Sequence, residues 1–263
     1  MTQQKTTQQA TAQQKTLPLD VWAGTSALLF DLDGVLTPTA DVHELAWRRL
    51  FEGYLAQAGR GPAYADSDYF DHIDGKPRFD GVRDFLASRG IVLPEGPEDD
   101  SPEHETVHGL GNRKNAVFTG IIEEEGVAPY PGSVRFIAAA EARGLKLAVV
   151  SSSRNAPAVL RAAGLAGHFP VVVDGAVAKA EGLPGKPDPA TFRRAAELLG
   201  VPPAECVVVE DAVSGVQAGA AGGFRAVVAI DRGAGEATLK AAGADVVVRD
   251  LDDLLPDRTG THP

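Results

Sequence analysis

The chain has 263 residues, of which 44% are apolar and 23% charged, with a formal net charge of -11 and a single cysteine. That length can bury one sizeable core or form a main domain with a smaller insert, while the acidic balance argues against a nucleic-acid or anionic-membrane partner, both of which reward basic patches. The lone Cys206 excludes an internal disulfide and suits a reducing cytoplasm.

In chain order, residues 1–17 are dominated by Gln and Thr, lack the apolar run of a signal peptide, and read as a disordered tail. Ala27-Leu28-Leu29-Phe30 reads as a strand that ends at Asp31-Leu32-Asp33-Gly34. From 39 to 125 the pattern is helical, at 41–57, 79–88 and 112–125, with no convincing strand. Within that stretch, 92–108 is rich in Pro, Glu and Asp and reads as an exposed loop. Beyond 126, strand patterns at 145–150, 170–173, 207–209, 226–230 and 245–248 alternate with helical patterns at 133–143, 154–163, 189–199 and 213–221. The strand runs are apolar on both faces, as a buried parallel sheet requires. The expected fold is therefore α/β: a doubly wound, Rossmann-like parallel sheet core at 18–38 and 126–255, with an inserted helical cap domain at 39–125 and a frayed tail at 256–263. No apolar run is long enough to span a bilayer.

In an open parallel sheet, ligands bind beyond the carboxyl ends of the strands. Four polar groups fall at such ends: Asp31 with Asp33, Ser151 to Asn155, Lys186 ahead of a helix, and Glu210 with Asp211. Each meets a need of phosphoryl transfer. A carboxylate can attack phosphorus and form an aspartyl phosphate. Asp31 and Asp211 offer hard oxygen ligands suited to Mg²⁺. Asp33 lies two residues after Asp31, so in an extended segment both carboxylates face the same way. Ser151 and backbone N–H groups at a helix start can hold phosphoryl oxygens. Lys186 can neutralise charge shared between phosphate and nucleophile. Glu210 can ligate the metal or only shape the surroundings of its ligands.

Asp31-Leu32-Asp33-Gly34-Val35-Leu36-Thr37 resembles the first motif of the haloacid dehalogenase superfamily. Ser151, Lys186 within Gly185-Lys186-Pro187-Asp188-Pro189, and Glu210-Asp211 resemble its second, third and fourth motifs, in the right order. More narrowly, the chain resembles the β-phosphoglucomutase family, whose members interconvert β-glucose 1-phosphate and glucose 6-phosphate through a bisphosphate. Thr39, His43 and Trp47 fit that family's early cap segment, and Gly75-Lys76-Pro77-Arg78 its specificity loop. Arg113-Lys114-Asn115 fits a later cap segment, and Ser151-Ser152-Ser153-Arg154-Asn155 the loop serving both phosphates. The resemblance implies Mg²⁺ as cofactor, held by Asp31, Asp211, the Asp33 backbone carbonyl and Glu210. It implies Asp31 as nucleophile, Asp33 as general acid and base, and a small sugar phosphate as the bound partner; a monomer is expected. Arg154 stands where a Lys is more usual, and the acidic loop near 94–108 is longer than in compact members.

Each residue also has a plainer reading. An Asp-rich strand end can be only a turn. Ser151 to Ser153 can be a helix cap, His43 can be structural, Lys114 and Asn115 can be a solvated helix start, and Arg78 a surface charge. A sugar-phosphate hydrolase uses the same core machinery with water as acceptor. A receiver-type signalling module also carries a phosphorylatable Asp and a Lys, but the helical insert has no rationale there. Arg78 with Arg154 and Asn155 favours a mutase, which must hold a second phosphate.

Overall fold

The computed structural model describes residues 20–59 and 62–255; the tails expected at 1–17 and 256–263 lie outside the described residues. Strand β1 (Ala27–Phe30) is followed by four helices, α1 (Thr39–Ala58), α2 (Asp66–His72), α3 (Arg78–Ser88) and α4 (Val107–Glu125). The chain then returns through α5 (Pro131–Glu141) to β2 (Lys146–Val150), α6 (Ala156–Ala162), β3 (Val171–Val173), α7 (Gly175–Ala180) and α8 (Ala190–Leu199). It closes with β4 (Cys206–Glu210), α9 (Val213–Ala221), β5 (Ala226–Ile230), α10 (Glu236–Ala242) and β6 (Val246–Val248).

All pairings in the sheet are parallel, in the order β3-β2-β1-β4-β5-β6. The chain winds to one side of β1 through β2 and β3 and to the other through β4, β5 and β6. The crevice of a doubly wound sheet opens at that reversal, beyond the carboxyl end of β1. Period-two alternation sorts the strand side chains onto two cores. Leu28 and Phe30 of β1 join Phe136 of α5 and Val159 and Leu160 of α6 on one face. Ala27 and Leu29 join Phe192 of α8, Val216 of α9 and Leu239 of α10 on the other. The helical insert has its own core of Trp47, Phe51, Tyr54, Phe85 and Leu110. Ala46 and Phe118 tie it to the first sheet core.

The insert leaves and rejoins the sheet at one place. Tyr130 N–H donates to Leu36 O at 2.9 Å, and Ser133 Oγ donates to Val35 O at 2.6 Å. Arg232 lies over the Tyr130 ring at 3.9 Å and donates Nε to Gly34 O at 2.8 Å.

The strands fall within about one residue of their sequence patterns, while several helices differ. The loop expected over 92–108 is present and mostly exposed from 92 to 106, but its last two residues belong to α4, which starts at Val107, and Asp100 within it is buried. Helices α2, α7 and α10 were not anticipated. Among the described residues no helix is long and apolar enough to cross a membrane.

Candidate active site

Asp31 follows the last residue of β1, and its N–H donates to Val209 O at 2.8 Å, so the sheet ladder itself fixes the residue. Lys186, almost wholly buried, donates to Asp31 Oδ1 at 2.5 Å, to Glu210 Oε1 at 2.6 Å and to Val150 O at 3.2 Å. One lysine thus links the ends of β1, β2 and β4. Glu210 uses its other oxygen as well: Oε2 accepts from the amides of Asp211 at 2.8 Å and Ala212 at 2.9 Å. With both oxygens taken, Glu210 orients Lys186 and the following turn. Gly215 makes room for it, since a Cβ there would lie 1.7 Å from Oε1.

Asp211 closes over Gly34, whose φ is +83°; a Cβ on that glycine would lie 1.9 Å from Asp211 Oδ2. Burial, with Glu210, Asp31 and Asp74 close by, drives the Asp211 carboxyl well above its ordinary value. Burial likewise pushes Asp31 up to about 8, with Glu210 and Asp33 adding to the rise and Lys186 opposing it. Asp74, absent from the sequence reading, is pushed up to about 6 by burial and by Glu210. Lys186 alone does not compensate this set of carboxylates, so the pocket suits a further cation. Among the described residues no three His, Cys, Asp or Glu side chains converge as a ready metal cluster. With Glu210 committed, Asp31 and Asp211 remain, which fits Mg²⁺, an ion that keeps several waters and takes few protein carboxylates.

Asp33 faces the insert. Thr39 Oγ1 donates to its Oδ1 at 2.5 Å, His43 Nε2 lies 3.5 Å from the same oxygen, and Ser151 Oγ donates to Oδ2 at 3.4 Å. Burial would raise this carboxyl, but His43, Thr39 and Lys114 together hold it at about 2. Lys114 Nζ lies in hydrogen-bond contact with His43 Nδ1, and the other ring nitrogen of His43 faces Asp33. His43 stacks on Phe118 with centroids 4.0 Å apart. Burial and the Lys114 charge lower its pKa, and burial lowers that of Lys114.

Ser151 Oγ also accepts from the amide of Ser153, and Ser153 Oγ from the amide of Asn155, each at 3.1 Å. Helix α6 therefore begins at Ala156 rather than at the expected 154, and these two amides are already satisfied. The loop meets the insert directly. Ser152 Oγ donates to Gly75 O at 2.9 Å, Asn155 Nδ2 donates to Asn115 Oδ1 at 2.7 Å, and Ser214 Oγ donates to Asp74 O at 3.4 Å. Among the described residues Arg78, the first residue of α3, makes only long hydrogen bonds, to Gly111 O at 3.5 Å and Asn112 Oδ1 at 3.4 Å. Burial and Arg154 lower it to about 10.

A cavity of about 100 Å³ gathers Asp31, Asp33, His43, Gly75, Arg78, Lys114, Asn115, Ser151 to Asn155, Glu210 and Asp211 on its walls. Thr39 and Lys186 stand behind the walls, each bonded to an aspartate in front. The structure thus brings these residues together around one cavity, while Arg113 turns away from it and donates Nε to Pro102 O at 2.6 Å. Asp74, Glu98 and Asn112 were missed; the acidic character of the 92–108 loop was the only signal that touched any of them.

Residues 25–223 match the model of the haloacid dehalogenase-like hydrolases. A β-phosphoglucomutase of Mycobacterium tuberculosis is 48% identical over 238 residues, covering 87% of this chain and 91% of that protein. A β-phosphoglucomutase of Bacillus subtilis is 34% identical over 232 residues, covering 87% and 91%. The crystal structure of a β-phosphoglucomutase from Clostridium difficile superposes with a TM-score of 0.72 at 25% identity, covering 88% of this chain and 93% of that one.

Proposed function

This chain belongs to the haloacid dehalogenase-like hydrolases, in their β-phosphoglucomutase branch, and we propose from that premise that it isomerises β-glucose 1-phosphate to glucose 6-phosphate through an aspartyl phosphate on Asp31. The observation that carries the chemistry is Lys186 clasped between Asp31 and Glu210, opposite an Asp33 held as an anion. We divide the chain accordingly into a catalytic core at 18–38 and 126–255 and a cap at 39–125, working as a cytoplasmic monomer.

The phosphorylated enzyme receives β-glucose 1-phosphate with its C6 hydroxyl toward Asp31. Asp33 takes the hydroxyl proton as that oxygen bonds to phosphorus and the bond from phosphorus to Asp31 breaks. The bisphosphate then turns over. Asp31 attacks the C1 phosphoryl group, the bond to O1 breaks, and Asp33 returns its proton to O1. Lys186 steadies the charge on Asp31 at both stages, and the Ser151 hydroxyl is placed to hold a phosphoryl oxygen. Asp31, Asp211 and the Asp33 carbonyl would hold Mg²⁺, which screens the repulsion between carboxylate and phosphate. His43 and Lys114 from the cap, with Thr39, keep Asp33 ionised and aimed. Arg78, Arg154, Asn155 and Ser153 are the groups we assign to the second phosphate, and Asn115 and Gly75 complete the cap side of the pocket.

The test is phosphorus NMR of the protein with β-glucose 1-phosphate, Mg²⁺ and a trace of bisphosphate. Glucose 6-phosphate is the expected product; inorganic phosphate alone would make the enzyme a hydrolase. Asp31→Asn is expected to abolish turnover and hydroxylamine-sensitive phosphorylation together.

A further inference from the structure

The acidic loop 92–108 is built to deliver one carboxylate to the core. Its ends are joined where Val107 N–H donates to Pro94 O and His108 N–H to Glu95 O, each at 3.0 Å. Asp100 is buried and accepts from Thr106 Oγ1. Asn112 Nδ2 holds the carbonyls of Glu98 and Asp100, each at 3.0 Å. From this frame the Glu98 side chain crosses the cleft. Its Oε1 accepts from Arg154 Nη2 at 2.5 Å, and its Oε2 pairs with Lys179 Nζ.

The partners make this contact more than a surface ion pair. Arg78 and Arg154 both lie over the Phe79 ring, 5.4 and 5.6 Å from its centroid, and the Arg154 charge is near enough to help lower the pKa of Arg78. Among the described residues, Glu98 is the carboxylate that pairs with Arg154, and none pairs with Arg78. An arginine fork accepts a carboxylate or a phosphate with the same geometry, so the two compete for it. Lys179, already paired with the other oxygen of Glu98, can keep the carboxylate when Arg154 is taken.

We propose that Glu98 is a specificity-determining residue: an internal anion that occupies Arg154 until the distal phosphate of the substrate displaces it onto Lys179. The proposal rests on the assignment of Arg78 and Arg154 to that phosphate. A phosphate dianion displaces a single carboxylate, whereas a neutral sugar offers nothing to do so. Glu98 thereby bars unphosphorylated acceptors from the site and raises the KM of phosphorylated ones, a selectivity built from a competing contact.

The experiment measures isomerisation of β-glucose 1-phosphate by wild type, Glu98→Gln and Lys179→Met. Glu98→Gln keeps the shape and removes the charge. Its KM for the sugar phosphate is expected to fall by about three- to fivefold, the scale of one partly exposed ion pair, with kcat little changed. Lys179→Met leaves Glu98 resting on Arg154 alone and is expected to raise KM. A merely structural loop contact would not produce opposite signs in the two variants. A raised KM in Glu98→Gln would mean that Glu98 orients Arg154 instead, and an unchanged one that the pair is inert; either overturns the proposal. Arg154→Ala in the same assay separates the two levels. A raised KM there upholds the distal-phosphate assignment whatever Glu98→Gln does, and an unchanged KM overturns both.

Discussion

Asp33 waits as an anion, because His43, Thr39 and Lys114 outweigh the burial that would otherwise protonate it. It is thus ready to accept the hydroxyl proton and acts as an acid only after it has done so. Asp33→Asn keeps the backbone carbonyl and the size of the side chain, but cannot move the proton. Turnover is expected to fall by about 10²–10⁴-fold, while calorimetric Mg²⁺ binding stays near that of wild type; loss of the metal would contradict this division of labour. Lys186 raises a different issue, since it is the buried cation between two carboxylates. Lys186→Met leaves both unpaired, and urea denaturation is expected to register a loss of about 3–5 kcal/mol. Asp31, Asp33, Ser151, Glu210 and Asp211 were legible in the sequence because each sits at or just beyond a strand end, where topology alone brings them together; Lys186, which lies between α7 and α8, and the insert residues Thr39, His43 and Lys114 were legible through their motifs. Asp74, Glu98 and Asn112 were not. They act across a cleft from loops and a helix surface, and neither periodicity nor motif spacing records which surface a loop will face.

The strands were legible for a simple reason: burial on both faces of the central ones leaves continuous apolar runs too short for helices. The cap helices were harder. Helix α4 begins at Val107 because Thr106 Oγ1 accepts from the Gly109 amide, yet Gly109 and Gly111 in its first turns read as helix breakers. Gly111 is there for packing, since a Cβ would lie 2.6 Å from the Phe79 ring. Helix α2 has only 7 residues, too few to express a period. It is held instead by Asp68, whose Oδ2 accepts from the Ala65 amide at 2.8 Å and from Arg89 Nη2 at 2.5 Å. Burial opposes ionisation of Asp68, but these bonds win and its pKa lies below the usual 3.8. A carboxyl depressed in the folded state contributes stability that is present above 3.8 and lost as pH falls through the folded value. Asp68→Asn is expected to lower cap stability at neutral pH and to flatten its decline in acid, as read by thermal denaturation over a pH series. At the first strand, Gly34→Ala would force Asp211 away. Its expected signature is weakened Mg²⁺ affinity in a protein whose far-ultraviolet circular dichroism is unaltered.

A cavity of about 100 Å³ is small beside the roughly 300–1,000 Å³ of most ligand pockets. Entry of a sugar phosphate is therefore expected to need movement of the cap away from the core. Beside the apolar tie through Ala46 and Phe118, the contacts that cross the cleft are polar: Ser152 on Gly75, Ser214 on Asp74, Asn155 on Asn115 and Arg154 on Glu98. Such contacts part more easily than an apolar interface. Arg78 is the cation best placed to reward closure with a phosphate bound, since its present contacts are long. Arg78→Ala is expected to lower the ratio of isomerised sugar to free phosphate by roughly tenfold, the worth of one charged hydrogen bond. Phosphatase activity on a small aryl phosphate should persist; an unchanged ratio would remove Arg78 from the mechanism. The bond from Tyr130 to Leu36 has a longer reach than the reaction itself. Because the polypeptide departs and comes back through one clasped doorway, everything beyond it can be lengthened, trimmed or replaced wholesale while the strands keep their register. Inheritance can thus preserve the chemistry in one stretch of gene and renegotiate the choice of substrate in another.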